Sequence, residues 1–204
     1  MFPMHTLKKA TSSFLIAALY LIPFSADHAT AFEIISRSEW GAKAPVLEMV
    51  PHDPDRITVH HSAVRQKPKR TIATKLRSLQ NFSQSEGKLA DGRTKKAWAD
   101  IPYHYFIDAS GQVAEGRKVG FVGDTNTKYD PKGHIGIVLE GNFEVEHPDH
   151  DQKAALFQLL LRLSEEHGIP ASAIGAHNHY ASTACPGKHM TSELESIIQQ
   201  VRQN

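Results

Sequence analysis

Cys185 stands eight positions after His177 in the stretch HNHYASTACPG (177–187), and it is the only cysteine of a 204-residue chain that carries thirteen histidines. Three chemistries are open to it. A free cysteine is most often a small buried apolar residue that needs no partner. As a nucleophile it needs a nearby imidazole to draw off its proton, and several are at hand. As a metal ligand it needs two or three nitrogen or oxygen donors converging from elsewhere in the chain.

His60 and His61 lie far upstream, directly after the β-branched run Ile57-Thr58-Val59. Two imidazoles and a thiolate make a three-ligand set that leaves a fourth tetrahedral position open for water. Zinc in such a site acidifies that water to a pKa of about 7 and polarises a carbonyl oxygen. Spacing alone does not select His60 and His177 from the thirteen histidines.

These residues must be held by regular elements. Ile57-Thr58-Val59 reads as a buried strand delivering His60 and His61. RTIATKLRSLQNFSQ (70–84) places Ile72, Leu76, Leu79 and Phe82 at helical spacing, and the polar, glycine-containing run 87–98 reads as a loop. Tyr103–Ile107 and Gln112–Glu115 flank Asp108-Ala109-Ser110-Gly111, a hairpin signal, and Ile135–Leu139 is short enough for a central strand. Asp151–His167 has the apolar spacing of an amphipathic helix stopped by Gly168 and Pro170. Thr191-Ser192-Glu193-Leu194 opens a last helix to about Arg202, with Ile197, Ile198 and Val201 on its apolar face. Strands interleaved with helices give an α/β domain, although this pattern does not separate a parallel from a mixed sheet.

Composition is that of a globular protein, 40% hydrophobic and 22% charged with a formal net charge of +1, so no electrostatic footprint for nucleic acid is present. The amino-terminal segment reads as a signal peptide over residues 1–31. Two lysines precede the short apolar stretch ATSSFLIAALYLIPFS, and Ala29-Thr30-Ala31 fits a small-x-small cleavage site. Pro23 interrupts a stretch already short of the ~20 apolar residues of a membrane span, so export to the periplasm or the medium is expected, without stable membrane insertion after cleavage. One cysteine cannot close an intramolecular disulfide, so residues 32–204 must hold together by their core, as one domain.

Five segments, taken in order, resemble the zinc-dependent N-acetylmuramoyl-L-alanine amidases of the phage lysozyme and peptidoglycan-recognition-protein type. They are IISRSEWGAKAP (34–45), ITVHHSA (57–63), DIPYHYFIDASGQVAEGR (100–117), IGIVLEGNF (135–143) and GAHNHYASTACPG (175–187). The resemblance covers nearly all of the chain from Phe32 onward. It implies a single α/β domain, residues 32–204, with a central mixed sheet flanked by helices. It also implies zinc as cofactor, peptidoglycan or muropeptides as partner, a monomer, and hydrolysis of the amide between N-acetylmuramic acid and L-alanine.

Carried over residue by residue, the resemblance makes His60, His177 and Cys185 the zinc ligands. It puts Tyr103, at the start of the family's Tyr-x-Phe strand, beside the metal, and Thr183 where relatives carry Lys or Thr. Amide hydrolysis needs an activated water, a stabilised oxyanion and a proton for the leaving amine. A tyrosine phenol of pKa about 10 is a donor at neutral pH, and Thr183 is an uncharged hydroxyl that can donate but stores no proton. The general acid stays open. His179 reads as a loop residue, and Glu140 as a salt-bridged strand residue rather than an anchor for a ligating imidazole.

Two departures from the family pattern stand out. Pro102 replaces a glycine before the tyrosine, which reads as a rigid turn. Segment 120–136 has Asp124 where a histidine often follows the glycine, and His134 nearby reads as a solvated loop histidine rather than a substitute substrate contact. Three rival functions remain. A noncatalytic peptidoglycan-binding protein on the same fold is the main one, though such members typically lose a ligand. A copper electron carrier would use His189 and Met190 with Cys185, but adjacent residues make poor ligands for one ion. The third is a cysteine hydrolase.

Overall fold

The alternation in RITVHH decides how the sheet is used, because successive side chains of a strand point to opposite faces. In the computed structural model Ile57 and Val59 enter one core, whereas Thr58 and His60 point to the other face. The structure describes Met1, residues 32–89 and residues 92–204. The expected signal peptide falls on residues 1–31 and so, Met1 aside, lies outside the described residues. No helix among the described residues is long and apolar enough to cross a membrane.

The described residues form strands β1 (Ile34–Ile35), β2 (Arg56–His61), β3 (Gly87–Lys88), β4 (Thr94–Lys95), β5 (Tyr105–Ile107), β6 (Val113–Glu115), β7 (His134–Leu139) and β8 (Ile174–Ala176). Helices α1 (Ile72–Ser83), α2 (His150–His167) and α3 (Lys188–Gln203) complete the set, with a 3-10 turn at His177–His179. Six strands make one sheet in the order β1-β6-β5-β7-β2-β8, and β1 and β6 run against the other four. The sheet is therefore mixed, as the family resemblance implies.

Every residue of β7 is buried, because helices cover both faces of the sheet. On one face Ile57, Val59, Ile135, Ile137 and Leu139 pack with Leu156, Leu159 and Leu163 of α2 and with Met190 and Leu194 of α3. On the other face Phe106 and Val138 pack with Ile72 and Leu76 of α1 and with Trp40 and Ile101. Leu159 is completely buried, so Leu159→Ala would cost about 2–5 kcal/mol.

Phe82, the run 87–98 and the start of α3 differ from expectation. Helix α1 has Thr71 as its amino cap, the hydroxyl accepting from the Thr74 N–H at 3.3 Å, and Phe82 is 49% exposed. At about 100° per residue Phe82 falls about 80° off Ile72, at the edge of the buried stripe. Ser83 and Gln80 take the buried positions, and Phe82 becomes part of a groove wall. The run 87–98 contains the two-stranded pair β3/β4 rather than only loop. Lys95 fixes it, its ammonium donating to the carbonyls of Ser83, Ser85 and Lys96 at 2.8–2.9 Å.

Helix α3 starts at Lys188, not Thr191. Gly187 precedes it at φ 92°, and a Cβ there would lie 2.5 Å from the Phe143 carbonyl carbon. The Lys188 N–H donates to Glu144 Oε1 at 2.8 Å, and the Thr191 hydroxyl donates back to the Gly187 carbonyl at 3.0 Å instead of capping a helix.

Candidate metal centre

Parallel strands that end side by side present their next residues to one edge of the sheet. β2 pairs with β8 through Val59 and Ala176, so His60 and His177 emerge as neighbours, their ring centroids 4.5 Å apart. Cys185 returns to them from the far end of the loop. Its Sγ lies 3.7 Å from His60 Nδ1 and accepts from the His61 N–H at 3.4 Å. One donor atom from each of His60, His177 and Cys185 falls within 4.8 Å of the others. His61 points to the opposite face, where its Nδ1 accepts from the Phe143 N–H at 3.2 Å.

Burial shapes the charge of each group. It drives the His60 imidazole well below its ordinary value, helped by His177. It lowers His177 to about 4, with His61 adding to the shift. It pushes the Cys185 thiol up to about 12, opposed only by the His61 N–H. The protein by itself thus holds two neutral imidazoles and a protonated thiol, and a thiolate here needs a cation beside it.

The donor set fits zinc on two counts. Two imidazoles and one thiolate are ligands that zinc takes in open sites. The His177 Nδ1 is buried without a hydrogen-bond partner, while its Nε2 lies 2.8 Å from Thr127 Oγ1. A buried nitrogen without a partner, on a residue that converges with two other donors, is where a ligand belongs.

Tyr103 sits just ahead of β5 rather than in it, but the ladder continues past it. The His104 N–H donates to the Gly136 carbonyl at 2.8 Å and the Arg117 N–H to the Tyr103 carbonyl at 2.8 Å. The Tyr103 ring lies 5.0 Å from that of His60, and burial raises its phenol far above the ordinary value, so it carries its proton at neutral pH. The Thr183 hydroxyl oxygen accepts from the Cys185 N–H at 3.2 Å, which leaves its proton free to point elsewhere. A cavity of about 360 Å³ contains these groups. It adjoins a second of about 430 Å³ that runs along α1 past Arg65, Lys67, Arg70 and Phe82, and the two share Ser62, Trp98, Tyr103 and Asn126.

The remaining candidates sort by contact. His179 is exposed. Glu140 accepts from the Lys67 and Ala109 N–H groups and pairs with Lys75 at 2.8 Å, away from the imidazoles. Asp124 lines the cavity but is paired to the buried Arg117. Met190 is a core residue of α3 and the His189 ring lies tilted against that of His147, so neither joins Cys185.

His134 corrects the sequence reading. It is no solvated loop histidine but the buried first residue of β7, 2.6 Å from Thr58 Oγ1 and edge-on to Tyr180. Thr127 and Tyr129, whose ring lies 5.1 Å from that of His177, are not singled out by the sequence. A hydroxyl in a polar loop carries no signal by which to find them.

Residues 50–188 match the protein family described as N-acetylmuramoyl-L-alanine amidase. Peptidoglycan-recognition protein SD of Drosophila simulans is 29% identical over 175 residues, covering 82% of this chain and 84% of the relative. The solved structure of peptidoglycan recognition protein-LE in complex with tracheal cytotoxin, a monomeric diaminopimelic acid-type peptidoglycan, superposes with a TM-score of 0.67 at 29% identity. It covers 80% of this chain and 92% of that one. N-acetylmuramoyl-L-alanine amidase LysC from Clostridium intestinale shares the fold, with a TM-score of 0.65 at 21% identity over 83% of this chain and 97% of its own.

Proposed function

Because the chain belongs to the N-acetylmuramoyl-L-alanine amidase family, we propose that it is a zinc enzyme that hydrolyses the amide between N-acetylmuramic acid and L-alanine in peptidoglycan or muropeptides. The observation that carries this reading is the convergence of His60, His177 and Cys185 within 4.8 Å, with the buried His177 Nδ1 left without a partner. Three donors converging on one point serve metal-assisted hydrolysis, whereas recognition alone does not require them.

His60, His177 and Cys185 would hold the zinc, whose chemistry when bound is that of a Lewis acid, polarising a carbonyl and acidifying water. Tyr103 keeps its proton because burial raises the phenol, so it donates to the amide oxygen as negative charge gathers there. Thr183 is fixed by the Cys185 N–H on its oxygen and offers its own proton to the same cavity. Trp98, Phe82 and the basic residues Arg65, Lys67 and Arg70 wall a groove whose positive charge suits a ligand that bears carboxylates. The protein acts outside the cytoplasm as a monomer, after removal of residues 1–31. Amino-terminal sequencing of the exported protein is expected to begin at Phe32.

The test is release of free stem peptide from purified muropeptides with zinc, with chelator, and with zinc restored. Cleavage abolished by chelation and recovered with zinc is expected. No cleavage by folded, zinc-loaded protein would leave a binding module instead.

A further inference from the structure

His177 touches the loop between β6 and β7 at a pair of hydroxyls. Its Nε2 lies 2.8 Å from Thr127 Oγ1, and that oxygen lies 2.8 Å from Thr125 Oγ1. The Thr127 N–H also donates to Thr125 Oγ1 at 3.0 Å, so the two threonines form one rigid turn. Protons can run along this chain in either direction. If Thr127 donates to Nε2, the imidazole proton sits on Nδ1. That atom is buried with no acceptor for the proton, and a protonated nitrogen has no lone pair to offer a metal. If instead the ring donates its Nε2–H to Thr127, and Thr127 donates onward to Thr125, Nδ1 carries a lone pair and no proton.

We infer that Thr127, oriented by Thr125, is a positioning residue that holds His177 as the Nε2–H tautomer and thereby turns Nδ1 into the donor for the metal. The inference rests on the reading of His177 as a zinc ligand. Nε2 is occupied by Thr127, so Nδ1 is the nitrogen left for coordination. A hydrogen bond on the far nitrogen of a ligating imidazole fixes both its tautomer and its ring orientation. The Tyr129 ring, 5.1 Å from the His177 ring, supports the same side chain. Thr125 and Thr127 also line the cavity of the candidate metal centre, so one loop both shapes the groove and sets the ligand.

Ring-nitrogen NMR of the folded, metal-free chain, paired with zinc titration against a competing chelator, tests this. The wild-type His177 ring should show the Nε2–H tautomer at neutral pH. Thr127→Val, verified as folded by circular dichroism, should lose that preference and bind zinc about 10–100-fold more weakly. Thr127→Ser should restore both. A Thr127→Val chain that keeps the Nε2–H tautomer and the wild-type zinc affinity would overturn the inference. A wild-type chain that binds no zinc would sink the metal reading instead, and the tautomer in that same chain would still decide for or against Thr127.

Discussion

Two buried polar clusters sit at the carboxyl ends of the parallel strands, and they are finished to different degrees. Asp108 follows β5 and Glu140 follows β7, and between them Lys75 of α1 places its ammonium 2.9 Å from Asp108 and 2.8 Å from Glu140. The spare oxygens are filled too. Asp108 Oδ1 accepts from the Ser110 and Gln112 N–H groups, and Glu140 from those of Lys67 and Ala109. The cluster at the ends of β2 and β8 is the opposite case. His177 Nδ1 has no partner, and the Cys185 sulfur has only long contacts, to the His61 N–H at 3.4 Å, His60 Nδ1 at 3.7 Å and the His61 carbonyl at 4.0 Å. A satisfied buried network fixes the fold, whereas an unsatisfied one costs stability and persists where a ligand completes it. The first cluster serves structure, and the second, on the function proposed above, serves chemistry.

Removing one member from each cluster should have opposite effects. Cys185→Ala or His177→Ala should lose zinc and hydrolysis together, with the metal-free fold changed by no more than about 1 kcal/mol. Zinc analysis beside muropeptide cleavage checks this, and an active, metal-free variant would remove the ligand assignment. Lys75→Met should do the reverse. It strands two buried carboxylates and should cost about 3–5 kcal/mol in urea denaturation while zinc affinity in the folded protein is unchanged. A variant as stable as the wild type would mean that the Lys75 cluster is not the structural one.

Tyr103→Phe comes next. It removes the phenol but not the ring beside His60, so zinc should stay bound while kcat falls about 10²–10³-fold. An unchanged kcat would take Tyr103 out of the reaction.

A smaller effect is expected from pH. His104 uses both ring nitrogens, Nδ1 accepting from the Gly136 N–H and Nε2 donating to the Phe121 carbonyl, and burial lowers it to about 4. Burial lowers His134 to about 4 as well. The unfolded chain titrates these groups near 6.5, so between 6.5 and 4 it binds more protons than the folded one. Their contribution is complete above pH 6.5 and is lost as pH falls toward 4, at about 1.4 kcal/mol per pH unit for His104 alone. Denaturation midpoints at pH 7, 5.5 and 4.5 read this directly, and a flat profile would contradict it.

How much of the fold and of the site is legible in the sequence follows from the range of each interaction. Ile57 and Val59 against Thr58 and His60 is a local alternation, and it separates the two faces of β2 from residue types alone. The Asp108–Gly111 turn is equally local, with Asp108 Oδ1 gathering the N–H groups of Ser110 and Gln112. His134 misleads because its partner, Thr58, is 76 positions away, and nothing beside it marks it as buried. The start of α3 is displaced from its sequence signal because Glu144, 44 positions upstream, fixes Lys188. Thr127 is silent for the same reason, being 50 positions from His177. The ligand set itself comes from resemblance to a family, since thirteen histidines offer too many choices.

On the function proposed above, a metal completes the cluster at the ends of β2 and β8. Zinc titration of the metal-free protein, read by bound stoichiometry and thermal midpoint together, tests it most directly. One zinc per chain should bind and raise the midpoint, and Cys185→Ala should show neither effect. No zinc uptake by the folded wild-type chain, or equal uptake by Cys185→Ala, would contradict the account.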